Sequence, residues 1–542
     1  MRIELKTFDG IDRDMYVVYP AGDRLSCYEN SIITVLREDK SDTLIKQLAA
    51  DKDFENLVDS QRLLLLFPNP VERTWNWEMN EKKQNDLEDI VKLIDAFNYQ
   101  PSFTDAGIYH TMHNARYFVG EGSGASMIHT LAAVNPINMA GVLTIGGDIS
   151  TKAMGQCKNA AVPAILWNGT EEATRFMKVL NRVDVGENGF YYNQVNDCQL
   201  VYEAQNDVAG INATAIRYAW EHLFSKVCRS NSCIYGEVGP RTVRDDYKFI
   251  VHENDPILGD NDGIGHTWFE YIPEAVKINP DQAVPLLIFN HGGSDTPGNM
   301  CNNIKMEKVA EKEGFIVVYP WSTSKWGWNM DMESNQYDDV AYLEALITYM
   351  KETYAIDETR VYMSGFSNGS AMSQVFAMTH PETVAAVFAN NTRFCQNRNT
   401  LPFMIAGAKK LEYDYRMPIW YHYSTRDYEY PVVRGSGQQV MYDFWKSYNN
   451  VTVKETPYVD EPSYCGVGVL GDKIEEYYPN PRYPERKYTT HRFYSNDESK
   501  ENYYNYTLVH GKGHDNLPEE AEIGWNYIKH FKRLQDGSIE RV

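Results

Sequence analysis

The chain of 542 residues carries the same ordered series of sequence patterns twice, and this internal repeat restricts its fold more than any other feature. In each half an apolar strand pattern is followed by a Trp-x-Trp motif, an amphipathic helix and a strand that ends in a glycine-rich turn. The turns are GEGSG at residues 120–124 and GFSNG at residues 365–369. Both halves then continue with a helix, an apolar strand, a strand led by proline, and a last strand before a helix that contains tryptophan.

Strands that alternate with helices need crossover connections, which produce a mainly parallel sheet with helices on its faces. The repeat therefore predicts two α/β domains in tandem. A polar stretch at residues 229–244 separates the two halves. We place the domains at residues 1–232 and 233–542.

The composition argues against several classes of partner. The chain has 52 Lys and Arg against 75 Asp and Glu, a formal charge of −23, so we expect neither nucleic acid nor an anionic membrane as a partner. No apolar run approaches the roughly 18 residues of a membrane-spanning helix, and residues 1–6 do not resemble a secretory signal. We expect a cytoplasmic protein unless a signal was removed, and a homo-oligomer is compatible with the sequence. The eight cysteines include no CxxC pair, which favours reduced thiols over disulfides or a zinc site.

The turn at residues 365–369 has the Gly-x-Ser-x-Gly pattern of a nucleophile elbow, in which a sharp turn between strand and helix presents the Ser367 hydroxyl. A serine nucleophile needs a base to take its proton and an acid to orient that base, and in this arrangement both follow the serine along the chain. Asp427 comes after an apolar strand pattern, and His514 lies in a Gly-Lys-Gly-His loop near the C-terminus. The sequence thus predicts Ser367, Asp427 and His514 as catalytic residues.

Neighbouring residues offer alternatives for two of these roles. Asp414 and Glu429 are carboxylates close to Asp427, but the strand-then-loop position and the repeat favour Asp427. His510 stands four residues before His514, as a metal-binding pair would. A convincing third ligand is missing, so the base role is favoured for His514 and no metal is expected.

An oxyanion hole is predicted where an apolar strand pattern at residues 286–289 runs into Asn-His-Gly-Gly at residues 290–293. Glycines in such a loop let backbone amides face a developing oxyanion. The predicted donors are the N–H groups of Asn368 and of Gly293 or its neighbour. His291 is expected to support the loop rather than to transfer protons.

The order of these motifs resembles the polyhydroxybutyrate depolymerase and feruloyl esterase group of the α/β-hydrolases, over about residues 245–535. The motifs that carry the resemblance are His-Gly-Gly at 291–293, Tyr-Pro at 319–320, Trp-Gly-Trp-Asn at 326–329, Gly-Phe-Ser-Asn-Gly at 365–369, Ser-Thr-Arg-Asp at 424–427 and Gly-His at 513–514. The resemblance implies two tandem α/β-hydrolase domains, each with a mainly parallel sheet flanked by helices. It also implies hydrolysis of a carboxylic ester without a cofactor, with Ser367 as nucleophile, His514 as general base and Asp427 as orienting acid.

Feruloyl, short acyl and hydroxyalkanoate esters, as small molecules or oligomers, are the substrates that the resemblance implies. Members of the group are frequently secreted, and many polymer depolymerases carry a cysteine where this chain has Gly293. These departures weaken the case for an extracellular polymer as the natural substrate.

Aromatic residues are expected to line the substrate site. Trp326, Trp328 and Tyr428 are predicted to contact substrate together with His291. Trp75 and Trp77 occupy the matching places in the first half, so a packing role for one member of the second pair is equally favoured.

The first half lacks the predicted nucleophile and base. The aligned positions are Gly122 with Ser367, Asn206 with His514, and Glu171 or Glu172 with Asp427. Ser123 stands one residue after the apex of the turn, where a side chain points elsewhere. The first domain is therefore predicted to be a catalytically silent copy. For the whole chain, a serine peptidase of the same fold and a non-catalytic binding protein made of two hydrolase-like domains are the alternatives.

Overall fold

The computed structural model divides into two compact units. Unit 1 comprises residues 1–243 and 481–483, and unit 2 comprises residues 244–480 and 484–542. The division lies in the polar stretch at residues 229–244. The structure describes residues 1–8, 11–22, 26–28, 30–97, 111–205, 207–208, 210–230, 234–241, 248–259, 263, 265–330, 337–392, 406–407, 409–410, 415–427, 437–452 and 470–542.

Within its described residues, unit 1 contains a ten-stranded sheet and a two-stranded hairpin. The strands of the sheet are β1 (Arg2–Phe8), β2 (Ile11–Tyr19), β3 (Asn30–Leu36), β4 (Leu63–Pro68), β5 (Thr111–Glu121), β6 (Gly141–Ile145), β7 (Ala164–Trp167), β8 (Val185–Glu187), β9 (Phe190–Tyr192) and β10 (Leu200–Ala204), and those of the hairpin are β11 (Val227–Ser230) and β12 (Glu237–Pro240). The α-helices are α1 (Asp42–Ala50), α2 (Lys52–Gln61), α3 (Asp86–Asp95), α4 (Ser123–Val134), α5 (Thr151–Gly155), α6 (Glu171–Leu180) and α7 (Ala213–Ala219), which a π-helical turn (Trp220–Phe224) follows.

Unit 2 repeats this arrangement within the part of it that the structure describes. The strands of its sheet are β13 (Ile250–Asp255), β14 (His266–Tyr271), β15 (Val284–Asn290), β16 (Ile316–Pro320), β17 (Ile356–Phe366), β18 (Ala386–Asn390), β19 (Ile419–Ser424), β20 (Lys473–Tyr477), β21 (Tyr488–Phe493) and β22 (Tyr504–Val509), and a hairpin consists of β23 (Phe531–Arg533) and β24 (Ile539–Arg541). The α-helices are α8 (Glu274–Ile278), α9 (Pro297–Ile304), α10 (Met306–Glu313), α11 (Asp339–Thr353), α12 (Asn368–Thr379), α13 (Gly437–Tyr448) and α14 (Pro518–Ile528).

The two sheets have the same strand order. The order is β1-β2-β4-β3-β5-β6-β7-β10-β9-β8 in unit 1 and β13-β14-β16-β15-β17-β18-β19-β22-β21-β20 in unit 2. The six central strands of each sheet are parallel, and the two strands at either side are antiparallel. This confirms the predicted α/β class with two mainly parallel sheets flanked by helices.

The central strands are rich in apolar residues because helices cover both faces of a parallel sheet. Strands β3, with the sequence NSIITVL, and β15, with VPLLIFN, are buried along their whole length. The loops that follow β15, β17, β19 and β22 meet at one edge of the unit 2 sheet, where the carboxyl ends of parallel strands lie together. That edge contains the candidate site.

Each unit contains a buried arginine, and the two arginines make equivalent hydrogen bonds to the backbone. Arg229 in β11 donates a hydrogen bond from Nε to the carbonyl oxygen of Met139 at 2.7 Å, and Arg533 in β23 donates the same bond to Val384 at 3.1 Å. Each guanidinium donates further bonds to other backbone carbonyl groups of its own unit. The repeat thus extends from the strand order to individual side-chain contacts.

The sheet registers define which residues of the two units are equivalent. Strands β3 and β5 pair Leu36 with Gly120, and strands β15 and β17 pair Asn290 with Gly365. Gly120 and Gly365 are therefore equivalent, and two residues later Gly122 stands level with Ser367. This agrees with the alignment of the two glycine-rich turns in the sequence.

The predicted alignment of the last strands is wrong. Val201 in β10 pairs with Ala164, whereas Tyr504 in β22 pairs with the equivalent residue Ile419, so Val201 corresponds to Tyr504 and not to Val509. Both connecting loops, residues 205–212 and 510–517, have eight residues, but β22 runs two residues past the position equivalent to the end of β10, so no single offset aligns both the strand and the helix.

As a consequence, Asn206 is not the counterpart of His514. Counting back from the helix caps, Asn212 in unit 1 and Leu517 in unit 2, His514 corresponds to residue 209. Residues 206 and 209 both lie outside the described residues.

None of the helices that the structure describes is both long and apolar enough to cross a bilayer.

Candidate active site

Ser367 occupies a strained turn between β17 and α12. Its backbone angles are φ 52° and ψ −119°, in a region that L-residues rarely adopt. Both flanking glycines are required there. A Cβ at Gly369 would lie 2.2 Å from the carbonyl oxygen of His291, and one at Gly365 would lie 2.6 Å from that of Gly369. The turn therefore has the geometry of a nucleophile elbow.

His514 bridges Ser367 and Asp427. Its Nε2 atom lies 2.8 Å from Ser367 Oγ, and its Nδ1 atom lies 2.7 Å from Asp427 Oδ2. The side chain of Asp427 is 1 % exposed and that of His514 is 25 % exposed, so the carboxylate is buried behind an imidazole that reaches the surface. The structure thus brings together the three residues that the sequence singles out, in the order that proton transfer from a serine requires.

The loops that carry Asp427 and His514 are hydrogen-bonded to each other. The amide of Thr425 donates to the carbonyl oxygen of Val509 at 3.1 Å, and that of Arg426 donates to Lys512 at 3.0 Å. In the opposite direction, the Gly511 amide donates to Thr425 Oγ1 at 2.9 Å. These bonds fix the distance between the acid and the imidazole.

Asn391, which the sequence analysis missed, supports both loops. It follows β18, and its Nδ2 atom donates to Ser424 Oγ at 2.7 Å and to the carbonyl oxygen of Gly513 at 3.3 Å. The preceding residue, Asn390, accepts a hydrogen bond from the Ser367 amide at 2.9 Å. A pair of asparagines at the end of a buried central strand was the available signal, since it places polar groups at the same sheet edge.

The glycine loop after β15 lies against the elbow. A Cβ at Gly293 would lie 3.7 Å from Asn368 Cβ, and one at Gly292 would lie 3.6 Å from Ser367 Cβ. The Asn368 amide belongs to the first turn of α12, where amides have no acceptor within the helix. Gly293 and Asn368, whose amides are predicted as oxyanion donors, therefore lie next to each other beside the serine; their role stays a prediction.

His291, which was predicted among the substrate-binding residues, is buried inside the protein. It has no exposed surface, its Nε2 atom accepts a hydrogen bond from the Ser322 amide at 2.9 Å, and its Nδ1 atom lies 2.6 Å from the carbonyl oxygen of Gly292. Because both ring nitrogens are engaged inside the protein, His291 holds the glycine loop in place. This corrects its assignment to the substrate-binding residues and agrees with the expected supporting role.

Of the paired tryptophans, one is buried and one is exposed. Trp328 is 4 % exposed, and its Nε1 atom donates to the carbonyl oxygen of His291 at 2.8 Å, which favours the packing role over contact with substrate for this residue. Trp326 is 47 % exposed, and its carbonyl oxygen accepts a hydrogen bond from the Ser294 amide at 2.6 Å, next to the glycine loop. Trp326 is the member of the pair that is accessible to a ligand. Tyr428, Asp414 and Glu429 lie outside the described residues.

The predicted pairing of the Trp-x-Trp motifs is displaced by two residues. Trp75 donates from Nε1 to the carbonyl oxygen of Arg37, which is equivalent to His291, so Trp75 corresponds to Trp328. The residue after each makes the same contact as well: the amides of Asn76 and Asn329 donate to buried aspartates at 2.6 and 2.7 Å. The motifs contain two tryptophans each, and only contacts decide which pair is equivalent.

In unit 1 the corresponding turn has a glycine at its apex, and the side chain of Glu38 occupies the space that a side chain there would need. Gly122 has φ 55° and ψ −124°, nearly the angles of Ser367, but a Cβ there would lie 2.4 Å from Glu38 Oε2. Beside it, Arg37 Nε donates to Glu121 Oε1 at 2.7 Å, and the Ile211 amide donates to Glu121 Oε2 at 2.6 Å. An ion pair between Arg37 and Glu121, the counterparts of His291 and Phe366, thus lies beside the apex of this turn.

The other unit 1 candidates lie in helices. Ser123 is the first residue of α4 and is 8 % exposed, so its hydroxyl does not stand at the apex. Glu171 and Glu172 are exposed in the first turn of α6.

His510 and His514 do not face a common ligand. His510 Nε2 lies 2.9 Å from Thr489 Oγ1, and burial lowers the pKa of His510 below its ordinary value. Within the described residues, no group of three or more His, Cys, Asp or Glu side chains is placed to hold a metal ion.

Comparison with known proteins gives the following relationships. The family model of the esterase PHB depolymerases matches residues 269–404, which include the glycine loop and Ser367. Relatives are a bifunctional acetylxylan esterase/xylanase XynS20E of Neocallimastix patriciarum, 32% identical over 166 residues, covering 30% of this chain and 22% of that protein, and feruloyl esterase B of Neurospora crassa, 28% identical over 123 residues, covering 22% and 41%. Acetylxylan esterase A of Aspergillus ficuum is 30% identical over 135 residues, covering 24% and 43%. The chain spans less than half the length of these relatives.

Among solved structures, an acetyl xylan esterase from Aspergillus awamori matches with a TM-score of 0.37 and 17% identity, covering 52% of this chain and 99% of that chain. The resemblance to the polyhydroxybutyrate depolymerase and feruloyl esterase group is confirmed for the matched residues.

Proposed function

We propose that this protein, whose residues 269–404 match the esterase PHB depolymerase family, is a serine carboxylic ester hydrolase that acts through Ser367, His514 and Asp427 of unit 2. One observation carries the proposal: the hydrogen-bonded series from Ser367 through His514 to Asp427, on a strained elbow inside the matched unit. The relatives are named as esterases, which supports the same chemistry.

The geometry supports a two-step mechanism. His514 Nε2 takes the proton of Ser367 Oγ while that oxygen attacks the ester carbonyl carbon, and Asp427 stabilises the imidazolium that results. The Gly293 and Asn368 amides donate to the oxyanion of the tetrahedral intermediate. His514 then protonates the leaving alcohol, and an acyl-enzyme remains on Ser367. Water, deprotonated by His514, attacks the acyl-enzyme and releases the carboxylic acid with the serine restored.

For the substrate we propose acetyl and feruloyl esters, which combine a short or aromatic acyl group with an alcohol. The relatives carry acetylxylan and feruloyl esterase names. Trp326 supplies an exposed indole beside the glycine loop, and such a ring stacks on an aromatic acyl group or on the face of a sugar.

For unit 1 we propose a tandem copy without hydrolytic activity. The same strand order, the equivalent buried arginines and the equivalent elbow angles support a duplication. Gly122 at the apex and the Arg37–Glu121 ion pair beside it support the loss of the reaction.

Hydrolysis of 4-nitrophenyl acetate, 4-nitrophenyl butyrate, methyl ferulate, a 3-hydroxybutyrate oligomer and a peptide amide, together with labelling by a fluorophosphonate probe, tests the esterase proposal. We expect ester hydrolysis and labelling for the wild type. Ser367→Ala should abolish labelling and lower kcat by about 10⁶-fold, and Asp427→Asn should lower kcat by about 10⁴-fold because the imidazole loses its orienting partner. Ser123→Ala is the matched control and should change neither.

Two outcomes contradict the proposal. A folded wild type that neither labels nor hydrolyses any ester shows that the triad geometry is not used. Preferential cleavage of the peptide amide identifies a peptidase instead.

A further inference from the structure

Behind the His514 loop, three polar side chains form a cluster with no exposed surface. Lys512 Nζ lies 2.6 and 2.7 Å from the two carboxylate oxygens of Glu520, and His422 Nδ1 lies 3.0 Å from Glu520 Oε1. All three side chains are 0 % exposed. We call this group the Glu520 cluster.

The Glu520 cluster joins the segments that carry the proposed acid and base. Lys512 belongs to the loop of His514, and its carbonyl oxygen accepts the amide of Arg426, the residue before Asp427. Glu520 lies in the first turn of α14 and accepts the Leu517 amide at 2.7 Å. His422 lies in β19, the strand that leads to Asp427. One carboxylate therefore contacts the His514 loop, the helix after it and the strand before the Asp427 loop.

Unit 1 shows that the fold does not require this cluster. Strand β7 pairs Trp167 with Ala204, as β19 pairs His422 with Thr507, so Trp167 is the counterpart of His422. Counted from the helix caps, Ala215 is the counterpart of Glu520. Both residues belong to the hydrophobic core of unit 1. The unit without a predicted base thus has apolar residues at these positions.

A buried ion pair is by itself weak evidence for a net gain in stability over apolar residues. Removing two charges from water costs much of what their attraction returns, and replacing a buried ion pair by apolar residues is often neutral or stabilising. Burial by itself raises the pKa of Glu520, but the Lys512 ammonium and the His422 hydrogen bond outweigh it and hold that pKa well below its ordinary value. Burial also lowers the pKa of His422. The geometry is that of a charge-assisted pair, since both carboxylate oxygens of Glu520 lie within 2.7 Å of Lys512 Nζ, and His422 adds a hydrogen bond to the same carboxylate.

We infer that Lys512, Glu520 and His422 are positioning residues that hold the His514 loop at the distance from Ser367 that proton transfer needs. The inference rests on the esterase function proposed above. The charged pair restricts the loop in direction and distance, which contacts between apolar side chains do less strictly. The cluster acts only through His514, since its side chains have no exposed surface that a substrate could reach.

The experiment compares Lys512→Met, the double variant Lys512→Met/Glu520→Gln and the control Lys446→Met. Lys446 is another lysine with a wholly buried side chain, in α13, 3.5 Å from Asp443. In the double variant no charge stays unpaired, and glutamine retains an acceptor for the Leu517 amide. This variant keeps the inference testable where Lys512→Met alone does not fold.

We expect the double variant to recover the thermal midpoint that Lys512→Met loses, but not its activity. In both variants kcat and the rate of fluorophosphonate labelling should fall by about 10- to 100-fold, because a shift of about 1 Å in a catalytic group has an effect of this size. KM should stay within about 2-fold of the wild type, since no cluster residue contacts substrate. Lys446→Met should lower the thermal midpoint and leave kcat unchanged.

The labelling and kinetic results distinguish an error in this inference from an error in the proposed function. If the wild type labels through Ser367 and the double variant keeps kcat and labelling within about 2-fold of wild type, the cluster has only a structural role and the inference is overturned. If kcat of the double variant falls by no more than kcat of Lys446→Met, the inference is overturned as well. If the wild type and Ser367→Ala behave alike, the esterase function itself is wrong.

Discussion

Ser367 and Gly122 have nearly the same backbone angles, yet only Ser367 presents a hydroxyl. The left-handed φ angle costs a serine about 1–3 kcal/mol of strain, whereas glycine adopts it without that cost. Strain of this kind is retained where the side chain is used. In unit 1 the same turn survives without a side chain, which fits a position from which the reaction has been lost.

At the same scale, the different burial of Trp326 and Trp328 predicts different effects when each residue is replaced by alanine. Trp328→Ala should lower the free energy of unfolding by about 3–5 kcal/mol, because a buried aromatic side chain leaves a cavity. Trp326→Ala should leave stability nearly unchanged and raise KM for methyl ferulate by about 2- to 10-fold, because about 0.5–1.5 kcal/mol of ring stacking is lost. Chemical denaturation and steady-state kinetics measure the two effects. An unchanged KM for Trp326→Ala would show that the exposed indole does not contact substrate.

At the scale of elements, the site depends on loops that follow neighbouring parallel strands. Strands β19 and β22 are hydrogen-bonded from Ile419–Tyr504 to Ser424–Val509, so the loops after them begin side by side. The loop after β22 is bound at one end to the Asp427 loop and at the other to α14 through Glu520. The distance between acid and base therefore depends on strand register and on buried polar contacts together.

This arrangement predicts a characteristic response to acid. A carboxylate whose pKa is lowered in the folded state stabilises that state in full above the ordinary glutamate pKa of 4.5, and the contribution is lost as the pH falls below that value. Wild type should therefore lose unfolding free energy more steeply than Lys512→Met/Glu520→Gln as the pH is lowered from 5 to 3. Urea denaturation at a series of pH values measures the difference. Parallel curves for the two proteins would show that Glu520 is not ionised against Lys512.

At the scale of the whole molecule, two units of the same strand order differ in their chemistry. The buried arginines, the elbow angles and the sheet registers are common to both, because they belong to the fold. The serine, the imidazole and the Glu520 cluster occur in unit 2 only, among the residues that the structure describes. The repeated part stabilises each unit, and the unrepeated part carries the proposed reaction.

This asymmetry predicts that a serine alone does not restore the reaction in unit 1. The variant Gly122→Ser, made in the Ser367→Ala background, should not be labelled by a fluorophosphonate probe, because residue 209, the counterpart of His514 counted from the helix cap, is an alanine and cannot act as a base. Gly122→Ser alone should label as the wild type does, through Ser367. Labelling of the double variant above that of Ser367→Ala would contradict the silent assignment of unit 1.

The sequence by itself determined the α/β class, the repeat and the elbow, because these follow from local patterns: the periodicity of apolar residues, and glycines that leave no room for a Cβ. It also singled out Ser367, Asp427 and His514, since each follows a recognisable strand in the order that the chemistry of the fold requires. Sequence patterns alone aligned His514 with Asn206, which the sheet registers contradict, and assigned His291 and Trp328 to the substrate site, whereas the structure shows both side chains buried. Strand lengths and sheet registers decide which residues of the two units are equivalent, and tertiary packing decides which side chains are buried. The pairing of Lys512 with Glu520 was likewise decided only by the tertiary structure, because it depends on how a loop and a helix pack against β19 and not on any local pattern.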